Sequence, residues 1–153
     1  MTAPGAPAPR IAGVVVRPLH VFRDDRGAVM RMLRASDPHF EQFGEIYFSL
    51  VGHGCVKAWH RHRAMTLNYA VPIGSIRLVI VDDRAESPTL GHIDELQTGA
   101  DHYALITIPP GVWSGFAGTA AGDSIVANCA TMPHAEDEIE RRPHDDASIP
   151  YRW

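Results

Sequence analysis

The chain has 153 residues, of which 45% are hydrophobic and 21% charged, and a formal net charge of −4. That length suits one domain with a substantial core, and the negative balance argues against a broad nucleic-acid-binding surface. No apolar run is long enough to span a membrane, and the first ten residues, rich in alanine and proline, lack the apolar centre of a signal peptide. The expectation is a cytoplasmic protein with a flexible tail over residues 1–10 and a single domain over 11–153. Cys55 and Cys129 make neither a disulfide framework nor a zinc pattern. Their apolar neighbours predict buried free thiols in a reducing compartment.

In chain order, the β-branched run Ile11 to Val16 predicts a first strand. Leu19 to Phe22 and Ala28 to Leu33 form a hairpin about the turn Asp24-Asp25-Arg26-Gly27. Ser36-Asp37-Pro38 reads as a helix start, with a short helix ending near Phe43-Gly44. From Glu45 to Val51, Ile46, Phe48 and Leu50 alternate with Glu45, Tyr47 and Ser49, giving a strand with one polar face. Further strands follow at Cys55–His62, Thr66–Val71, Ser75–Asp82, His92–Leu96, Tyr103–Ile108, Val112–Phe116 and Ser124–Cys129, separated by Gly- and Pro-containing turns. From Pro133 onward the chain is polar and proline-punctuated. Its charge run, Glu136-Asp137-Glu138 with Glu140-Arg141-Arg142, reads as a solvated face. Many short strands and little helix define an all-β jelly roll, with an immunoglobulin-like sandwich as the competitor.

The most informative stretch is Trp59-His60-Arg61-His62. At strand spacing the two imidazoles share a face, opposite to Trp59 and Arg61, and point into the barrel. Buried, paired histidines need polar partners, so the stretch reads as a site. A neutral histidine oriented by a carboxylate is a good base for a proton beside a carbonyl, and His60 is the candidate. The same residues resemble part of the cupin metal motif, since Gly54, His60, His62 and Gly74 fit its frame. The motif's glutamate is replaced by Thr66 or Leu67, however, and its later histidine is absent from Pro109-Pro110-Gly111-Val112-Trp113-Ser114. A divalent site usually has three or four protein ligands, so the ligand count argues for no metal.

Over most of its length, from about Asp25 to Trp153, the chain resembles the dTDP-4-dehydrorhamnose 3,5-epimerases, metal-free members of the cupin superfamily. Asp25-Arg26-Gly27 is similar to the family's N-terminal turn, and Phe43 to Ser49 to its Phe-x-Gln-x-Asn-x-Ser strand. Lys57-Ala58-Trp59-His60 parallels Arg-Gly-Leu-His, whose histidine is the catalytic base. Asp82 to Gly91 is similar to Asp-x-Arg-x-x-Ser-Pro-Thr-x-Gly, the most specific match. Ile108 to Phe116 parallels Ile-Pro-Pro-Gly-x-x-His-Gly-Phe, and Asp145-Asp146 with Trp153 resembles the family's ending.

The resemblance implies a cupin-type jelly roll that forms a homodimer and epimerises a nucleotide-linked 4-keto-6-deoxy sugar at C3, C5 or both. No cofactor is implied, because the ketone is the electron sink. His60 becomes the base and Asp146 its orienting partner. Lys57 and Arg26 become candidates for the diphosphate, Arg26 across a dimer interface. Glu45, Tyr47, His62, Arg84 and Trp113 complete the candidate substrate-binding set. There are departures. Ser114 stands where the family has a pocket histidine, His62 where it commonly has glutamine, and no lysine stands near Leu67. The family's acidic tyrosine is missing from Asn128 to His134, which leaves His134 as its nearest replacement. These departures leave open a mono-epimerase, a metal-dependent cupin using His60 and His62, and a binding module without turnover.

Overall fold

The computed structural model describes residues 8–153. It is built from twelve strands: β1 (Val15–Pro18), β2 (Val21–Asp24), β3 (Gly27–Met30), β4 (Glu45–Val51), β5 (Val56–His62), β6 (Leu67–Ile73), β7 (Ser75–Val81), β8 (Ile93–Gly99), β9 (Ala104–Ile108), β10 (Trp113–Gly118), β11 (Ser124–Ala130) and β12 (Ile139–Arg141). Two five-stranded sheets, ordered β1-β9-β6-β11-β4 and β12-β5-β10-β7-β8, pack face to face, and β2 and β3 form a separate hairpin. All the strand pairings are antiparallel. This is the all-β jelly roll expected from the strand count.

The alternation of each strand sorts its side chains between two apolar clusters. Between the sheets lie Leu67, Tyr69 and Val71 of β6, Ile106 and Ile108 of β9, Ile76, Leu78 and Ile80 of β7, and Phe116 of β10. The intervening residues of the second sheet, Trp59, Val79, Val81 and Trp113, point outward and are covered by Ile149, Tyr151 and Trp153. The C-terminal segment is thus the lid of a second, smaller core, with the Trp153 ring 5.1 Å from that of Trp59.

Several expectations fail for identifiable reasons. The strand at Ile11 starts late, because Asp94 accepts from the backbone N–H groups of Arg10 and Ile11 and Val14 N–H donates back to Ile11, making a turn there. Residues 1–7 of the expected tail lie outside the described residues, but Arg10 at its end is bound to Asp94. The helix from Ser36 is not formed. The Asp37 carboxylate accepts from Arg34 N–H and guanidinium, two isolated turns follow, and Gly44 N–H then donates to Ala130. The segment offers no apolar stripe to bury, and Phe43 is exposed. Neither cysteine is fully buried; Cys55 is exposed and Cys129 half-buried.

The charge run after Pro133 is the largest correction. It contains β12, an edge strand paired with β5, in which Ile139 faces His62 and Arg141 faces His60. Glu138, immediately before it, is buried rather than solvated.

Candidate active site

A cleft of about 670 Å³ opens beside β5 and is lined by Glu45, Tyr47, Lys57, His60, His62 and Arg141, with Ala58, Trp59, Met65, His134, Ile139 and Arg142. One wall is β5 with its edge partner β12. Glu45 and Tyr47 bring β4, the edge of the other sheet, to the same cleft. β4 turns its polar face inward, and the Lys57 ammonium donates to Ser49 Oγ at 2.8 Å across the gap.

Strict alternation would put Lys57 and His60 on opposite faces of β5. They share the cleft because the ladder between β5 and β10 is irregular: Ser114 pairs with His60, but Phe116 pairs with Lys57. The bulged strand carries an extra residue, which re-aims the side chains beyond it. Gly115 makes this possible, since a Cβ there would lie 2.4 Å from the Ala58 Cβ.

His60 is sunk between the sheets. Its Nε2 lies 3.3 Å from Tyr69 Oη and 3.3 Å from Ser114 Oγ, and an unprotonated Nε2 can accept from either. Burial, reinforced by His62 and the Arg141 guanidinium, holds the imidazole pKa down to about 4. His60 is therefore neutral near pH 7 and able to take a proton. Burial and the neighbouring Tyr47 push the Tyr69 phenol well above its usual range. Tyr47 Oη in turn accepts from Asn128 Nδ2 at 3.0 Å.

His62 has a different environment. Its Nδ1 is 2.8 Å from Glu138 Oε2, while Glu138 Oε1 accepts from Ala64 N–H and Met65 N–H, each at 2.9 Å. Burial works against the Glu138 charge, but the bonds from His62 and the two amides outweigh it and hold the carboxyl below its usual range.

The structure brings Glu45, Tyr47, Lys57, His60, His62 and His134 to one cleft, with Ser114 behind His60. His134 sits at the rim and pairs with Glu136 at 2.8 Å. The other sequence candidates lie elsewhere. Asp146 does not line the cleft; it accepts from Ser148 N–H and Oγ in the C-terminal turn. The two hydrogen-bond partners of His60 are hydroxyls, not that carboxylate. Trp113 faces outward, donates to Asp83 at 3.0 Å, and has the guanidiniums of Arg61 and Arg142 over its ring at 4.5 and 4.7 Å. Arg84 is folded onto Asp82, with its Nε 2.8 Å from Oδ1. Arg26 is at the tip of the β2–β3 hairpin, paired with Asp24 at 2.6 Å and otherwise exposed.

Sequence reasoning missed Tyr69, Glu138, Arg141 and Arg142. The available signal was inward placement: Tyr69 falls at an inward position of β6, and Ile139 between charged neighbours marks a short strand. Among the described residues, no three His, Cys, Asp or Glu side chains gather into a metal-binding group, and no helix is long and apolar enough to cross a membrane.

A histidine kept neutral near pH 7 thus lies in an open cleft also lined by Lys57, Arg141 and Arg142, carried on a jelly roll. The chain belongs to the dTDP-4-dehydrorhamnose 3,5-epimerase family, whose model matches residues 8–153. It is 36% identical over 149 residues to the probable low-salt glycan biosynthesis epimerase Agl13 of Haloferax volcanii, covering 95% of this chain and 96% of that protein. It is 30% identical to the spore coat polysaccharide biosynthesis protein SpsL of Bacillus subtilis, covering 94% and 96%. A crystal structure of a dTDP sugar isomerase from Desulfovibrio desulfuricans G20 superposes with a TM-score of 0.92 at 44% identity, covering 99% of this chain and 95% of that one. The fold extends to the Legionella pneumophila 3,5-epimerase solved with dTDP-4-keto-L-rhamnose, at 19% identity and a TM-score of 0.83, covering 97% and 82%. The chain is an enzyme of the sugar-epimerase class.

Proposed function

We propose that the protein epimerises a nucleotide-linked 4-keto-6-deoxy sugar by removing a proton beside the ketone with His60. The observation that carries this is the His60 imidazole, kept neutral by burial at the floor of the cleft. The C–H bond beside C4 breaks, its proton moves to His60, and the electron pair passes through the new C–C double bond to O4. A proton returned to the carbon from the opposite face inverts it. The ketone itself accepts the electrons, so the step needs no redox partner.

Lys57, Arg141 and Arg142 give the cleft three cations suited to a diphosphate. His134, which lines the same cleft as His60, is the candidate to return the proton in place of the family's tyrosine. Tyr47 and Glu45 contact the sugar. Ser114 and Tyr69 hold His60 rather than the substrate.

The working unit is a homodimer. β4 turns Ile46, Phe48 and Leu50 outward, and they are 50%, 62% and 55% exposed. A row of large apolar side chains on one edge strand, with the exposed Phe43 beside it, is more than the scattered singles of a monomer surface. In a dimer, Arg26 on the projecting hairpin reaches the second copy's cleft.

The reading is tested by incubating the purified protein with dTDP-4-keto-6-deoxyglucose and trapping the product with borohydride. New sugar epimers in the trapped mixture support it. Recovery of only the starting configuration overturns it for this substrate.

A further inference from the structure

We infer that the hydroxyl of Tyr47, in place of His134, returns a proton to the carbon that His60 has deprotonated. This rests on the epimerase reading and names the second of its two proton-transfer groups.

Inversion sets the requirement. His60 takes a proton from one face of the sugar, so the group that returns one must stand on the other face. His60 is carried by β5, and Tyr47 by β4, which belongs to the other sheet. Both side chains line the cleft. The two strands face one another across it, since Lys57 of β5 donates to Ser49 of β4, two residues from Tyr47 and on the same side of that strand. A sugar ring lying between these walls has the imidazole on one face and the phenol on the other.

The hydrogen bonds fix what the Tyr47 hydroxyl can do. Asn128 is its partner in the β4–β11 ladder. The backbone N–H of Asn68 donates to Asn128 Oδ1 at 3.0 Å, which orients the amide so that Nδ2 donates to Tyr47 Oη, also at 3.0 Å. Tyr47 Oη is the acceptor in that bond, and its one hydrogen is left for another partner. Asn128 is fully buried and Tyr47 is 39% exposed, so a rigid donor holds a hydroxyl that a ligand can reach. The same amide N–H stabilises the phenolate that remains once the proton has left. Burial and Tyr47 push the neighbouring Tyr69 phenol well above its usual range, which keeps the proton on Tyr69. His134 is less suited: it lies at the rim with its side chain 46% exposed, and its Nε2 pairs at 2.8 Å with the exposed Glu136.

The step balances. The electron pair on O4 re-forms the carbonyl, the pair of the C–C double bond takes the Tyr47 hydrogen, and the O–H pair stays on the phenolate. Solvent at the exposed side of Tyr47 restores its proton, and His60 releases to solvent the one it took.

The test is proton NMR in D2O with dTDP-4-keto-6-deoxyglucose, reading two rates in one sample: deuterium entering the starting sugar, and the appearance of the epimer's anomeric and methyl signals. Tyr47→Phe keeps His60, which still takes a proton and hands back deuterium on the same face. Its exchange is expected within about threefold of the unaltered protein, while epimer formation falls about 10²-fold or more. Asn128→Asp still accepts from Asn68 but cannot donate to Tyr47, and is expected to slow epimer formation about tenfold with exchange retained. A melting midpoint accompanies each variant, and if Asn128→Asp fails to fold, Tyr47→Phe decides. A folded Tyr47→Phe that forms epimer at the unaltered rate, or that loses exchange and inversion equally, overturns the inference alone. So does a His134→Asn variant that separates the two rates where Tyr47→Phe does not. Absence of exchange in the unaltered protein overturns the epimerase reading together with it.

Discussion

The hydroxyl of Tyr69 lies 3.3 Å from Nε2 of His60, at the inner end of the cleft. Tyr69 is itself buried in the main core, with its ring 6.0 Å from that of Phe116. The His60 imidazole is thereby tied, through Tyr69, to the packing between the sheets. Ser114, on the neighbouring strand, gives the same nitrogen a second partner.

Tyr69→Phe removes one of these partners and keeps the packing. A single neutral hydrogen bond is worth about 1 kcal/mol, so kcat is expected to fall about fivefold with KM unchanged. Combining it with Ser114→Ala leaves Nε2 without either hydroxyl, and the loss is expected to exceed the product of the single effects. Steady-state kinetics of the three variants check this; additive losses below about twofold contradict it.

The pH dependence follows from the depressed His60 pKa. The base is active when neutral, so the base-dependent limb of kcat/KM falls as pH drops through about 4, not through the ordinary histidine value of 6.5. The same shift affects stability. Between about 4 and 6.5 the unfolded chain binds the proton that folded His60 refuses, so stability declines as pH falls across that window. Glu138 and Asp82, whose carboxyls are held low in the fold, add further losses as pH falls through their folded values. Denaturant titrations from pH 7 to pH 4 measure the decline; a midpoint constant over that range contradicts it.

Asp82 is the hub of the stretch that most specifically resembles the family. Fully buried, it accepts from Arg84 Nε and Nη2, Arg84 N–H, Ser87 Oγ and Thr89 Oγ1 at 2.6–3.1 Å. Asp82→Asn turns donors toward donors and is expected to cost about 2–4 kcal/mol of stability with KM unaffected. Urea unfolding with parallel kinetics tests this. A changed KM at unchanged stability would return Arg84 to the substrate.

The outward face of β4 predicts the assembly. Phe48→Glu places a charge among Ile46, Leu50 and Phe43 and is expected to turn a dimer into a monomer, as read by light scattering at matched concentration. A monomeric unaltered protein, or a Phe48→Glu variant that remains dimeric, contradicts that interface.

How much of this was legible in the sequence depended on whether a residue's role followed from local pattern. Strand existence did, because alternation and turn residues are local: β4 and β7 fall within a residue of their expected ranges. The shared face of His60 and His62 followed from the same two-residue period. Which way a strand faces is a tertiary fact, however. β4 keeps its polar side inward at the cleft and its apolar side outward, the reverse of the usual burial. Asp146 and Trp113 matched motifs, yet the C-terminal lid and its outer cluster claimed them. Glu138 was hidden in a charge run because its partners, His62 and the 64–65 amides, are more than seventy residues away. Lys57 reaches the same cleft as His60 only through a bulge that Gly115 admits, and residue types alone do not announce it.

The most direct test of the central claim is proton NMR in D2O with dTDP-4-keto-6-deoxyglucose, comparing the unaltered protein with His60→Ala. The account predicts loss of the C3 signal, the C5 signal or both with the unaltered protein, and exchange reduced by about 10³-fold or more in the folded variant. Exchange that persists in His60→Ala at the unaltered rate would contradict His60 as the base.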